Sequence, residues 1–437
     1  MRRKLLTVLL MLIIVINLFF TSCSHNSDTE QIEYYTIAGS VSLVDILVHK
    51  YNETSGLSEN EKIKIIEFDD QNTLSNVMSS EIMAGEGPDL LSLATLSYGN
   101  TSINKLLQQE VFADINDVIN ADMNKQKIDF NDYCEAAMNA GMYENKRIII
   151  PISYVPNILI SSEEKCSSYV INDNLTYDEI ININRTLSDE DNLSLFEYED
   201  EYESLFFDFI DENININNNT NNFDSYEFIE TVKNLKKVIL DMNENEQSSN
   251  DTGLFTASET FNLLFTCENF VNRININENP VLFNKPTMKG DFTADIYDAI
   301  AINNNSNDSK KQKVLNFIEY ALSEEVQNDF CGANIKNFDI NSYAGLYYPV
   351  NNNSLNKIFT TANQLNYSEK GIKIDTSVLD YISKKIRNIN VFNIATSYDY
   401  YNNNVINDIV IEYLNGKLSD ESFIHQLKSK TSIYIDE

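Results

Sequence analysis

The chain has 437 residues, 43% of them hydrophobic and 11% aromatic, and its formal net charge at pH 7 is −34. This length exceeds the size at which a single core keeps growing, so two lobes are expected, and the hydrophobic share excludes a disordered chain. So acidic a surface repels phosphate backbones, which argues against nucleic acid as a partner.

The first 22 residues have the layout of an export signal. Basic residues follow Met1, an apolar run extends from Leu5 to Phe20, and two small polar residues precede Cys23. This ending resembles a bacterial lipobox, which implies that residues 1–22 are removed and that a lipid on Cys23 contacts the membrane. Residues 23–31 are then a polar tether. An uncleaved anchor is the alternative, because an apolar run of this length is marginal for a membrane span.

Cysteine and histidine are too few and too dispersed for a metal or redox site. The cysteines after Cys23 form no CxxC pair, and the three histidines lie far apart in the sequence. Neither a zinc site nor any other cofactor is therefore predicted. A disulfide between two of the cysteines is compatible with export, but the sequence does not assign a pairing.

A βαβαβ pattern follows the tether. Strands are predicted over residues 32–38, 63–68 and 89–93, and apolar residues recur at helical spacing between them. Asn72 or Thr73 is the expected N-cap of the second helix. This order of elements predicts a parallel sheet with right-handed crossovers.

The carboxyl ends of these strands are the expected ligand-binding positions, because backbone donors and helix N-termini converge there. Gly39 and Ser40 follow the first strand, Asp70 follows the second and Thr95 follows the third. We predict that these four residues bind the ligand. Ordinary turn chemistry is the alternative for each, since Gly, Ser and Asp are common in turns.

Two prolines interrupt an apolar run between Arg147 and Ile160. Pro151 and Pro156 each lack a backbone donor, so the run is not a regular strand in the middle of a sheet. It is either a kinked edge strand or a segment that leaves one lobe and enters another. The βαβαβ unit before it and the helix-rich region after it favour the second interpretation. Tyr154 would then face a cleft or brace a hinge.

Six segments resemble, in order, motifs of the family 1 extracellular solute-binding proteins, the maltose-binding-protein-like lipoprotein receptors of ABC importers. Three are an Ala-Gly-Glu-Gly-Pro-Asp-Leu run at 84–90, a Thr-Tyr-Asp-Glu helix start at 176–179 and a Leu-Ser-Glu-Glu-Val-Gln helix at 322–327. The others lie at 111–115, 346–350 and 413–421. The resemblance therefore covers nearly the whole mature chain.

The resemblance implies an α/β, two-lobe fold of the periplasmic-binding-protein-like type II. Each lobe would be a mostly parallel sheet flanked by helices, and interlobe crossings would join them. The expected boundaries are 32–150 with 299–346 for the first lobe and 151–298 with 347–437 for the second. A second crossing is expected at 296–302.

The resemblance also implies a monomer, lipid-anchored on the extracytoplasmic face of the cell membrane, that delivers a small solute to the permease subunits of an ABC importer. Catalysis is not predicted, because the chain has no G-x-S-x-G elbow, P-loop or H-E-x-x-H motif. Acidic pairs that would suit a glycosidase are expected by chance among 66 acidic residues. A surface adhesin or ligand sensor with the same fold is the alternative function.

A sugar or oligosaccharide is the predicted ligand, since aromatic faces stack on sugar rings and tyrosine adds a hydroxyl. The chain has 24 Tyr and 23 Phe but no Trp, the residue that sugar receptors of this kind usually use. Tyr154, Tyr297 and Tyr348 lie at the predicted crossings and complete the predicted ligand-binding set. Core packing is the alternative for these three rings.

Overall fold

The structure is a computed structural model of the chain. It describes residues 31–54, 56–98, 102–121, 128–172, 174–187, 194–197, 200–215, 220–245, 253–257, 263, 267, 280–335, 347–365, 374–394 and 399–436. Cys23 and the predicted signal at 1–22 lie outside these residues.

The βαβαβ prediction is confirmed. The first elements are β1 (Glu33–Ile37), α1 (Leu43–Glu53), β2 (Lys64–Phe68), α2 (Gln71–Met83), β3 (Leu90–Ser92), α3 (Leu93–Tyr98), α4 (Ile103–Gln108), α5 (Ile115–Ala121) and α6 (Glu135–Ala140). The prediction of Asn72 or Thr73 as the N-cap of α2 is wrong. Asp70 caps this helix instead, because the helix begins one residue after it and its carboxylate accepts a hydrogen bond from the Thr73 amide at 2.9 Å.

The middle of the chain is richer in strands. It forms β4 (Met142–Tyr143), β5 (Lys146–Arg147), β6 (Ile150–Pro151), β7 (Ser153–Pro156), β8 (Ile158–Ser162), α7 (Glu163–Cys166), α8 (Tyr177–Thr186), β9 (Ser194–Phe196), α9 (Asp200–Glu212), β10 (Ile214–Asn215), β11 (Thr220–Asn221), α10 (Tyr226–Asn245), β12 (Gly253–Ala257), β13 (Pro280–Asn284), β14 (Thr293–Ile296) and β15 (Ala299–Ile302). The predicted capping box of α8 is confirmed, with Thr176 and Glu179 bonding each other's backbone amides.

The last third is mainly helical. It forms α11 (Asp308–Leu322), α12 (Glu324–Phe330), β16 (Tyr348–Pro349), α13 (Asn352–Ala362), α14 (Thr376–Arg387), β17 (Val391–Ile394), α15 (Asp399–Tyr401), α16 (Asn407–Leu414) and α17 (Asp420–Asp436). Ser323 ends α11 and caps α12 with its side chain. Within the described residues, none of the helices has the length and apolar character needed to cross a membrane.

Three larger sheets organise these elements. The first sheet has the order β2-β1-β3-β15-β6, the second sheet β13-β8-β12-β9, and the third, here called the crossing sheet, β16-β7-β14-β17. In the first sheet β1 runs parallel to β2 and β3, and β15 is antiparallel to its neighbours. The other two sheets are mixed: β9–β12 and β14–β17 are parallel, whereas the remaining pairs are antiparallel. The α/β class is confirmed, but the sheets beyond Pro151 are less parallel than expected.

The chain passes between the first sheet and the crossing sheet at residues 151–153 and 296–299, and it enters the crossing sheet again at β16, within the segment 346–350 that resembles a family motif. It leaves the first sheet between Pro151 in β6 and Ser153 in β7, and it returns between β14 and β15 at Tyr297 and Asp298. Because β6 is an edge strand, the missing N–H of Pro151 leaves no gap inside a ladder. Both predicted crossings are therefore passages between sheets, while the lobe boundaries stay a prediction.

Buried apolar side chains form two clusters. The first contains the first sheet with its helices and continues through the crossing sheet to α13 and α14. The second lies between one face of the second sheet and α8, α9, α10, α16 and α17, and it is rich in aromatic pairs such as Phe209–Phe228 at 5.3 Å between ring centroids. The crossing sheet thus packs with the first sheet in one continuous core.

Candidate functional site

One buried carboxylate, that of Asp45, anchors the loop that follows β1. Asp45, in the first turn of α1, is only 4% exposed. It accepts hydrogen bonds from the hydroxyls of Ser40 at 2.5 Å, Ser42 at 2.6 Å and Tyr34 at 2.8 Å. Gly39 has a φ of +78°, a left-handed conformation that glycine adopts without strain. The loop is therefore fixed in position while Gly39 stays exposed.

Thr95 belongs to the same hydrogen-bond network. Its hydroxyl lies 2.7 Å from that of Ser92 and 3.0 Å from the carbonyl oxygen of Tyr35, to which it donates. Because α3 begins directly after β3, this side chain points into the protein and is 3% exposed. In this conformation its contacts are internal, and its predicted ligand-binding role stays a prediction.

Asp70 is exposed at the same edge of the first sheet as Gly39 and Ser40, since Ile37 at the end of β1 pairs with Phe68 at the end of β2. Hydrogen bonds from the Thr73 side chain and backbone hold the pKa of the Asp70 carboxyl below its usual value. The structure thus brings three predicted ligand-binding residues to one edge. It also shows the turn and capping chemistry that was the alternative for Asp70.

Two of the predicted crossing tyrosines are buried. Tyr154 is 2% exposed and Tyr348 is fully buried, and their rings stack with centroids 5.5 Å apart. Phe392 of β17 packs edge-on against Tyr154 at 5.2 Å. These rings pack against one another and brace the crossing sheet. This is the core packing that was the alternative to ligand binding for Tyr154 and Tyr348. Tyr297 differs from them because it is 44% exposed, between β14 and β15.

The Gln327 side chain connects the crossings and is completely buried. Its Nε2 donates to the carbonyl oxygens of Ile152 at 3.1 Å and Ala321 at 3.0 Å, and its Oε1 accepts from the Asn351 amide at 3.2 Å. The Ile152 amide in turn donates to the carbonyl oxygen of Asp298 at 2.9 Å. One glutamine therefore ties the first crossing to the segment that follows β16.

Asp298 carries a buried carboxyl group at the second crossing. It is 3% exposed and faces the backbone amides of Leu43 and Val44 at the N-terminus of α1. Burial raises the pKa of Asp298 to about 7, although these amides act in the opposite direction. The second crossing is in this way joined to the helix that follows the Gly39 loop.

Comparison with known proteins places the chain in a family. A model of the bacterial extracellular solute-binding protein family matches residues 47–336, which is more than half of the sequence. The chain belongs to this family. No curated protein matches the sequence.

Solved structures with the same fold include other solute-binding proteins. A Streptococcus pneumoniae solute-binding protein in complex with the blood group A-trisaccharide is 16% identical, covers 93% of this chain and 100% of its own, and gives a TM-score of 0.55. The maltose/maltodextrin-binding domain MalE of Bdellovibrio bacteriovorus, bound to maltotriose, is 13% identical, with 93% and 100% covered and a TM-score of 0.52. A Listeria monocytogenes ABC substrate-binding protein in complex with cycloalternan is 12% identical, with 93% and 98% covered and a TM-score of 0.53. At these identities the likeness shows the fold alone.

The second sheet of this solute-binding protein positions a candidate ligand-binding residue, Glu197, that the sequence prediction did not include. Strand β9 ends directly before Glu197, and its parallel neighbour β12 ends at Ala257. The Glu197 carboxylate accepts a hydrogen bond from the Thr256 hydroxyl at 2.5 Å. A Cβ atom at Gly253 would lie 2.4 Å from the Glu197 nitrogen, so only glycine permits this approach. Applying the strand-end rule to the second half of the chain would have identified Glu197.

The described part of this solute-binding protein shows no grouping of three or more His, Cys, Asp or Glu residues suited to a metal ion. Cys134, Cys166 and Cys331 are free thiols. Burial raises the pKa of the Cys331 thiol to about 12, so it stays protonated at neutral pH.

Proposed function

We propose that this protein is the substrate-binding lipoprotein of an ABC importer, which captures a sugar or oligosaccharide and delivers it to a membrane permease. Membership of the extracellular solute-binding family carries the proposal. Three proteins of the same fold, each solved with a bound carbohydrate, support the choice of substrate class.

Ligand capture would occur in a cleft between two lobes, with the chain passages around Pro151, Tyr297 and Tyr348 as the hinge. A ligand that touches both lobes favours the closed state by its differential affinity for the two states. Gly39, Ser40 and Asp70 would contact the ligand from the first lobe. No catalytic step is included in this proposal.

The location and assembly follow from the N-terminal signal. Cys23 would carry the lipid after removal of residues 1–22, and the monomer would stand on the extracytoplasmic face of the membrane. Labelling with a radioactive fatty acid is expected to mark the wild type and not the Cys23→Ala variant. A wild-type protein that keeps residues 1–22 and carries no label would favour the uncleaved anchor instead.

The ligand class is tested by thermal denaturation of the purified, unlipidated protein. Binding to the native state alone raises stability by RT ln(1 + [L]/Kd), so a ligand at about 100 times its Kd adds roughly 2.7 kcal/mol. We expect a higher Tm with at least one of maltotriose, cycloalternan and the blood group A trisaccharide. Stabilisation by peptides or polyamines in place of sugars would contradict the proposed substrate class.

A further inference from the structure

The crossing sheet has two faces of different character. Ala294 and Ile296 of β14 are completely buried on the face that contains Tyr154 and Phe392. Alternate residues of a strand point to opposite sides, so Asp295 lies on the other face. That face is more open, since Asp295 is half-buried and Asn393 on β17 is exposed.

Asp295 is flanked by side-chain amides. It is in register with Asn393 of β17, whose Nδ2 lies 3.4 Å from its Oδ1, and with Val155 of β7. Asn157 follows β7 and donates from its Nδ2 to the Thr293 hydroxyl at 3.1 Å. A carboxylate and two amides are thus placed on one surface by three neighbouring strands.

The cation whose charge acts on Asp295 is Lys285, and it is already bonded to other groups. Lys285 forms an ion pair with Asp208 at 2.5 Å and donates to the Ser204 hydroxyl at 2.8 Å. Among the residues that the structure describes, no ion pair involves Asp295. Burial and Asp208 raise its pKa, to about 6, against the opposing influence of Lys285, Asn157 and Asn393. At pH 7.5 the carboxylate is therefore ionised, poorly hydrated and able to accept further hydrogen bonds.

We propose that Asn157, Asp295, Tyr297 and Asn393 form a subsite for a neutral sugar ring, with Asp295 accepting hydrogen bonds from sugar hydroxyls. Tyr297 follows Asp295 by two residues, is 44% exposed and carries an aromatic ring of the kind that stacks on sugars. The amides supply donors and acceptors that hydroxyl groups match. An acidic sugar is disfavoured, because its carboxylate would meet a charge that no bonded cation neutralises. This inference rests on the proposed sugar-binding function.

The decisive variant is Asp295→Asn, which keeps the shape and removes the charge. Loss of a charge-assisted hydrogen bond is expected to weaken binding of the neutral sugar roughly tenfold or more. Removal of a poorly hydrated charge is expected to raise the Tm of the ligand-free protein at pH 7.5. The Tm gain should shrink as the pH falls from 7.5 and vanish only below about pH 4, where the carboxyl is protonated in the folded and the unfolded chain alike. A merely structural role would not weaken binding while raising stability.

Calorimetric titration uses maltotriose, cycloalternan and the blood group A trisaccharide as neutral probes and sialyllactose as the acidic probe. Asp380→Asn, an exposed acidic residue of α14, is the matched control and should change neither affinity nor Tm. Neutral sugar binding that is unchanged in D295N would overturn the subsite and leave the proposed function intact. Equally tight binding of sialyllactose would overturn its preference for neutral sugars. Absence of binding by all these sugars to the wild type would overturn the proposed sugar-binding function, and the subsite with it.

Discussion

Asp45, beneath the Gly39 loop, and Asp295, on β14 of the crossing sheet, are carboxylates that differ in how fully they are bonded. Asp45 accepts three hydroxyl donors at 2.5–2.8 Å beneath the Gly39 loop. Asp295 has a side-chain amide of Asn393 at 3.4 Å and is only half-buried. Buried polar groups in native proteins are normally bonded, so a carboxylate with spare capacity points to a ligand rather than to the fold. Asp45 thus holds the fold together, whereas Asp295, with the amides of Asn157 and Asn393 beside it, keeps capacity for a ligand.

The largest expected effect tests the fully bonded member of the pair. Asp45→Ala would remove three hydrogen bonds to a charged acceptor and leave buried hydroxyls of Tyr34 and Ser42 without it, so we expect a loss of about 4 kcal/mol in the free energy of unfolding. Urea denaturation measures this loss. Asp295→Ala is the matched variant and should cost far less. Equal losses in the two variants would remove the distinction between them.

Asp298 shares one property with each of these carboxylates. It is buried like Asp45, and its pKa is raised like that of Asp295. Its pKa of about 7 exceeds the ordinary value of 3.8, so the folded protein holds a proton that the unfolded chain releases. This contribution to stability is fully present below about pH 4 and is lost as pH rises through 7, at up to about 1.4 kcal/mol per pH unit.

Asp298→Asn should therefore flatten the fall in unfolding free energy between pH 5 and 8. Denaturation midpoints in a pH series measure the slope. Asp380→Asn is the control, since this exposed carboxyl should leave the slope unchanged. A slope in D298N identical to that of the wild type would show that another group carries the pH dependence.

A smaller effect is expected from Gln327, another buried polar group with several hydrogen-bond partners. Gln327→Leu keeps the volume but leaves the carbonyl oxygen of Ile152 and the amide of Asn351 without this partner, which should cost about 2 kcal/mol. Urea denaturation is again the measurement, with exposed Gln364→Leu as control. A loss below about 0.5 kcal/mol, the range of ordinary surface substitutions, would contradict a bracing role.

The sequence motifs proved informative about the fold and much less about the site. Asp89 of the Gly-Pro-Asp motif is buried, and its carboxylate accepts from the Glu33 amide at 2.9 Å, the Ser306 hydroxyl at 2.6 Å and Lys310 at 3.0 Å. Gln327, the last residue of another motif, connects the crossings. Short sequence motifs identify such residues because a buried polar group can complete its hydrogen bonds only with one residue type at one position.

Side-chain direction was the part that sequence patterns could not supply. The strand-end rule grouped Gly39, Ser40 and Asp70, which the structure places at one edge of the first sheet, but it also selected Thr95, which α3 turns inward. Strand direction beyond Pro151 depends on pairing between distant segments, so the mixed sheets were not predictable locally. A signal for Asp295 did exist, since an acidic residue interrupts an otherwise β-like stretch at 293–296.

The smallest expected change in stability belongs to Tyr297. Because its ring is 44% exposed, Tyr297→Ala should alter the free energy of unfolding by no more than about 0.5 kcal/mol, whereas buried Tyr154→Ala should cost about 3 kcal/mol or more. The same Tyr297→Ala change should weaken binding of a neutral sugar, and Tyr297→Phe should retain most of it if stacking dominates. Urea denaturation and calorimetric titration separate the two effects. A large stability loss in Y297A would place this ring with Tyr154 and Tyr348 among the residues that brace the crossings, and the open face of the crossing sheet would then lack its aromatic component.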